Sequence, residues 1–168
     1  KNPAFFIENQ SGTNPHDQLD PMRSSQIIVS HVLDGLEMAK KHRLPEEIID
    51  FIRTHHGTST TGYFYNTYKK QYPEKEVDKK DFSYPGPVPF SKETAILMMS
   101  DAVEAASRSL KKPDEEAITN LVTNIIDHQA NDGQFINADI TFKDISTIKK
   151  IFIRKLLNIY HVRIEYPK

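Results

Sequence analysis

Cysteine is missing from all 168 residues. Its absence excludes a disulfide framework and any thiolate metal site, and it fits a reducing, cytoplasmic compartment. No apolar run approaches the ~20 residues that a membrane span needs. No charged start followed by an apolar stretch opens the chain, as a secretory signal would. Charge of one sign is not in excess either. Lys and Arg number 22 against 23 Asp and Glu, a net charge of -1, so a nucleic-acid polymer is not expected as the main partner. A glycine-rich phosphate loop, a serine nucleophile elbow and a zincin helix are all lacking. So are internal repeats, low-complexity tracts and any alternating strand pattern of useful length. What remains is an all-α chain, of a length that suits one domain with a substantial core.

The helical signals are local and readable. Gly12, Pro15 and Pro21 leave residues 1–22 without a period. Ser24 or Ser25 can cap a helix over 24–42, with Ile27, Ile28, His31, Val32, Gly35, Leu36 and Ala39 on one face. Pro45, Glu46 and Glu47 open a second, 45–56, whose apolar face Ile48, Ile49 and Ile52 runs on into His55 and His56, with Gly57 as its C′ residue. Tyr63, Phe64, Tyr65, Tyr68 and Tyr72 read as a helix packing aromatic bodies with wet hydroxyls. Glu74 to Asp81 is a solvated connection, and the proline-rich run Phe82 to Pro89 is a stiff extended loop. Ser91 with Thr94 forms a capping box for 91–110, Pro113-Asp114 opens 114–130, and Thr141 or Asp144 opens 144–160.

His31, His55-His56 and Asp101 stand on core-facing positions of three such helices. Imidazoles and carboxylates are costly to bury without a partner. Taken singly, each histidine reads as a satisfied core or surface residue. Taken together, the set is also that of a transition-metal centre inside a helical bundle. Neighbouring helix residues differ by about 100° in direction, so His55 and His56 edge one pocket without pointing the same way. Asp101, Glu104 and Arg108 share one helix stripe. They read either as an intrahelical salt bridge on a half-wet face or as a ligand followed by groups that meet a phosphate. His16-Asp17 is discounted as a metal dipeptide because no helix aims it, and His42, His128 and His161 read as surface or structural.

Four segments resemble one family: Phe5 to Gly35, Leu44 to Thr58, Asp81 to Leu110, and the ending Ile159 to Pro167. Together they are similar to the cytoplasmic HD domain of the seven-transmembrane HD receptors, the PgpH-type cyclic di-AMP phosphodiesterases. The most specific motifs are the His55-His56-Gly57-Thr58 run, the Ser100 to Leu110 stretch, and Asp81 to Pro87 between them. The resemblance implies an HD-superfamily helical bundle. It also implies a metal-dependent phosphodiesterase that hydrolyses cyclic di-AMP to the linear dinucleotide.

The family's metal residues run as a His, a His-Asp dyad, a His, a His-His pair and an Asp. The lone His matches His31, the pair matches His55-His56 and the last Asp matches Asp101. The first His and the dyad match nothing in this sequence. The opening Lys1 to Phe6 carries no initiator Met and reads as an internal cut. Residues 1–168 are therefore expected to be a single HD domain lacking its N-terminal helices. By the resemblance the parent holds two divalent metals, iron or manganese. This chain is expected to hold at most one and to be inactive alone. Arg108, Tyr84 and Gly86 are expected to line the substrate pocket, Arg108 on a phosphate and the stiff loop as a wall. The partner is a cyclic dinucleotide, and the membrane is met only through upstream segments. The rival reading is a non-catalytic helical signalling or interaction module that keeps a partial metal site.

Overall fold

Proline, often a breaker, starts the first helix. In the computed structural model, which describes Phe5, residues 14–110 and residues 113–160, α1 spans Pro21–Lys41 with Pro21 at its first position. The Asp20 carboxylate caps it by accepting from the Met22 N–H. The fixed φ of proline suits a first helical residue, whose N–H has no partner in any case. The expected start at residue 24 is thus three residues late, and Ser24 and Ser25 are fully buried helix residues instead of caps.

α2 spans Glu46–Thr54, α3 Gly62–Gln71, α4 Lys92–Ser107, α5 Glu115–Asn131 and α6 Phe142–Ile159. Short 3-10 turns lie at Pro15–Gln18 and Lys79–Phe82. The described residues hold no strand, only an isolated antiparallel bridge between Thr60 and Ser83. The expected capping box at Ser91 and Thr94 is present, and Thr141 with Asp144 forms a second. Among the described residues no helix is long and apolar enough to cross a membrane.

The chain divides into two compact units, Lys1–Gly86 and Pro87–Lys168. In the first, α1 packs against α2 and α3. Gly35 brings α1 close to α2, since a Cβ there would lie 3.1 Å from the Ile52 Cγ2 methyl. Phe82 is fully buried, with the Tyr65 and Tyr68 rings 5.6 and 5.5 Å away. α3 buries no residue completely and leaves Tyr63 76 % exposed, as expected of aromatic bodies with wet tips. In the second unit, α4, α5 and α6 enclose an apolar core. Its centre is Met98, Met99 and Val103 of α4, Ile118, Val122 and Ile126 of α5, and Ile148, Leu156 and Leu157 of α6. The four-residue spacing of the α5 set places one side chain per turn against its neighbours.

Candidate metal centre

Three imidazoles converge in the first unit. His31 projects from the middle of α1, His55 caps the end of α2, and His56 follows it. Sequence periodicity carried α2 on to residue 56. The helix instead ends at Thr54, and Gly57 turns the chain at φ +50°. That early end frees His56 from the helical direction rule, so both members of the pair face one point. The ring centroids lie 5.3 Å (His31–His55), 5.0 Å (His31–His56) and 4.1 Å (His55–His56) apart. One ring nitrogen from each can be chosen so that all three lie within 4.8 Å of one another. Points so spaced sit within about 2.8 Å of a common centre, against metal–nitrogen bonds of about 2.0–2.1 Å.

Hydrogen bonding decides the tautomers. The His31 Nδ1–H donates to the Ile28 carbonyl at 2.6 Å, and the His55 Nδ1–H donates to the Ile52 carbonyl at 2.8 Å. A carbonyl only accepts, so each ring carries a proton on Nδ1 and turns its Nε2 towards the other ring. The two Nε2 atoms are 3.1 Å apart. At that distance the two nitrogens share either a proton, as in a hydrogen bond, or a cation. Neutral imidazoles with Nδ1 anchored to backbone carbonyls are the arrangement that divalent ions bind. The donor set therefore fits a transition metal on its own chemistry.

The surroundings of His56 hold it neutral. Burial, and then the neighbouring His55 and His31, lower its pKa from 6.5 to about 3. Its ring stacks on Tyr84 at 4.2 Å and 22°. Tyr84 also meets the His31 ring edge-on at 5.9 Å. Tyr84 is held there by pairing between distant segments. Its N–H donates to the Ser59 carbonyl at 2.9 Å, and the Thr61 N–H donates to the Phe82 carbonyl at 2.8 Å. The Thr60 and Ser83 hydroxyls meet at 3.0 Å. The loop after the histidine pair and the loop before the prolines thus form one clasp over the imidazoles. Gly86 ends that loop at φ +80°, a conformation that favours glycine.

Asp101 and Arg108 belong to the second unit. Asp101 is half-buried on α4, in the second unit. Arg108 caps the C-terminal end of that helix, is exposed, and donates from Nε to Glu104 at 2.8 Å, the i,i+4 pair expected of a salt bridge. His42 and His128 are exposed, and His161 lies outside the described residues. Two features escaped the sequence reading. His16 is 8 % exposed and sits on a 3-10 turn that aims it inward, although the segment reads as irregular. Asp34 lies one turn beyond His31 on α1 and is half-buried. Its spacing from His31 is the signal that would have found it.

No family model matches the chain. Its sequence is 46 % identical over its full length to the cyclic-di-AMP phosphodiesterase PgpH of Bacillus subtilis. It is 45 % identical over 98 % of its length to PgpH of Listeria monocytogenes. It spans only 24 % and 23 % of those proteins. The crystal structure of the L. monocytogenes PgpH HD domain in complex with cyclic-di-AMP superposes with a TM-score of 0.90 at 44 % identity. That match covers 94 % of this chain and 73 % of the solved one. The chain belongs to the PgpH HD domains. The HD-superfamily helical fold expected from the sequence is the observed one, and the resemblance read from the four segments holds along the chain. A second structure of the same Listeria domain matches with a TM-score of 0.89.

Proposed function

We propose that the chain is the metal-binding part of a phosphodiesterase that hydrolyses cyclic di-AMP to the linear dinucleotide. The observation that carries this reading is the convergence of three imidazoles, with the His31 and His55 Nε2 atoms facing each other at 3.1 Å. Bound divalent ions supply positive charge to the phosphoryl oxygens and a water of lowered pKa at neutral pH. His31, His55 and His56 hold one such ion, and the carbonyls of Ile28 and Ile52 fix two of the rings. By family order Asp101 serves a second ion, and iron or manganese is the expected metal. Arg108 meets a substrate phosphate in exchange for Glu104, a bidentate role its guanidinium suits. Tyr84 and Gly86 form the wall of the substrate pocket, Tyr84 chiefly by holding His56. Both units are read as parts of one HD domain.

Among the described residues, the group that converges has no carboxylate. A two-metal hydrolase needs charge between its ions to hold them about 3.5–4 Å apart. The chain alone therefore binds at most one ion, weakly, and does not turn over. The test compares it with a longer protein that carries the His-Asp dyad, both incubated with cyclic di-AMP and Mn²⁺. Turnover by the longer protein only is the expected result. Turnover by neither, with metal bound by both, would support the non-catalytic signalling module instead. Two fully occupied ions in the short chain would overturn the one-ion reading.

A further inference from the structure

Threonine at a helix N-cap ordinarily spends its hydroxyl on the first turn, accepting from a free N–H there. Thr61 is the N-cap of α3 and makes no such bond. Its hydroxyl proton goes instead to the Phe82 carbonyl at 2.9 Å, which also accepts the Thr61 N–H. A carbonyl only accepts, so the 2.7 Å contact between the Ser25 and Thr61 hydroxyls has one polarity: Ser25 donates and Thr61 accepts. Ser25 lies on α1 with no exposed surface. The adjacent Ser24 is equally buried, yet its hydroxyl has no hydrogen-bond partner.

This relay of hydroxyls joins two parts of the candidate centre. Ser25 precedes His31 on the same helix by a rise of about 9 Å. Phe82 stands just before Tyr84 in the chain, and the Tyr84 ring stacks on His56 at 4.2 Å. The relay therefore registers the Tyr84 platform to the helix that supplies His31. We infer that Ser25 and Thr61 are positioning residues for His56, acting through Tyr84. The inference rests on His31, His55 and His56 being the ligands of an ion. Hydrogen-bonded partners outside a ligand set fix ring orientation and so tune affinity.

The test reads the stack by ¹H NMR of the metal-free chain, because the Tyr84 ring current displaces the His56 ring protons from their unstacked positions. Ser25→Ala and Thr61→Val should return those protons towards the unstacked positions. Thr61→Ser keeps the hydroxyl and should leave them in place. Ser24→Ala should also leave them, since it removes an equally buried hydroxyl that has no partner. Thr61 is half-buried, so its two variants decide the matter even where Ser25→Ala fails to fold. Co²⁺ affinity should fall by up to about tenfold in Ser25→Ala. Adding Ser25→Ala to Tyr84→Leu should cost nothing further, since a residue that acts through another is silent once that other is gone. Unmoved His56 protons in Thr61→Val, equal movement in Ser24→Ala, or additive losses of affinity would overturn the proposal. The ring protons are read without metal, so an unaltered chain that binds no Co²⁺ would overturn the metal reading of the site and not the placement of His56.

Discussion

The two units solve different problems with the same helices. Among the described residues, the second buries eleven apolar side chains in one cluster drawn from α4, α5, α6 and the turn after α5. Among its described residues the first buries Pro21, Val32, Ala39, Ile49, Phe82 and Tyr84, and nearly as many polar residues, His16, Ser24, Ser25 and Thr54. Apolar burial supplies most folding free energy, so the second unit is the better candidate for a self-sufficient scaffold. The first spends interior space on imidazoles that satisfy chemistry, and its cohesion leans on directed contacts such as Ser25–Thr61 at 2.7 Å. Stability and binding should therefore respond to different substitutions.

The largest expected effect falls on the scaffold. Ile118→Ala empties a site with no exposed surface and should cost about 2–5 kcal/mol. Urea unfolding measures this. Cobalt affinity of the still-folded fraction should not change, and a parallel loss of metal would erase the contrast between the units. His31→Ala tests the opposite case. Removing a proposed ligand that carries one of the facing Nε2 atoms should weaken Co²⁺ binding by more than about 100-fold, beyond the range seen for outer-shell changes. The metal-free unfolding midpoint should move little, since His31 is only half-buried.

Acid sharpens the comparison. His56 has a folded pKa of about 3 against 6.5 unfolded. Below 6.5 the unfolded chain binds the extra proton, so stability falls as pH drops from about 6.5 towards 3. From pH 7 to pH 5 the metal-free chain should lose about 2 kcal/mol at most. In the second unit Asp144 is held at about 2 by the Thr141 backbone and side-chain bonds and by Lys92. Its contribution is present above 3.8 and is lost only as pH falls towards 2. Denaturant unfolding at pH 7, 5 and 3 separates the two windows, and a flat profile between 7 and 5 would mean that His56 is not buried as neutral imidazole. The smallest effect is on ring placement. Tyr84→Leu should reduce Co²⁺ affinity about tenfold by unseating His56, while Tyr84→Phe keeps the stack and the affinity. Equal losses in both would move the role from the ring to the hydroxyl.

What could be read in advance was what is local. The capping box at Ser91 needs only the four residues Ser91 to Thr94, and the Glu104–Arg108 pair needs one helical turn. His31, His55 and His56 were legible as a set because three costly side chains shared core-facing positions. The end of α2 at Thr54 was not. Helical period runs on through His55 and His56, and only the left-handed turn at Gly57 shows that the chain has already left the helix. The clasp that sets Tyr84 on His56 joins residues 59–61 to 82–84 across a whole helix, which no local pattern encodes. His16 was hidden in the same way, its burial depending on Phe64 of α3.

Gly35 lies one turn beyond His31, and Ile52 lies one turn before His55. The contact between them, 3.1 Å for an added Cβ, is therefore a spacer adjacent to the facing nitrogens. An alanine at position 35 would have to push the Ile52 methyl aside by a few tenths of an ångström beside the two rings. Position 35 thus sets how closely α1 and α2, and with them the His31 and His55 imidazoles, can approach.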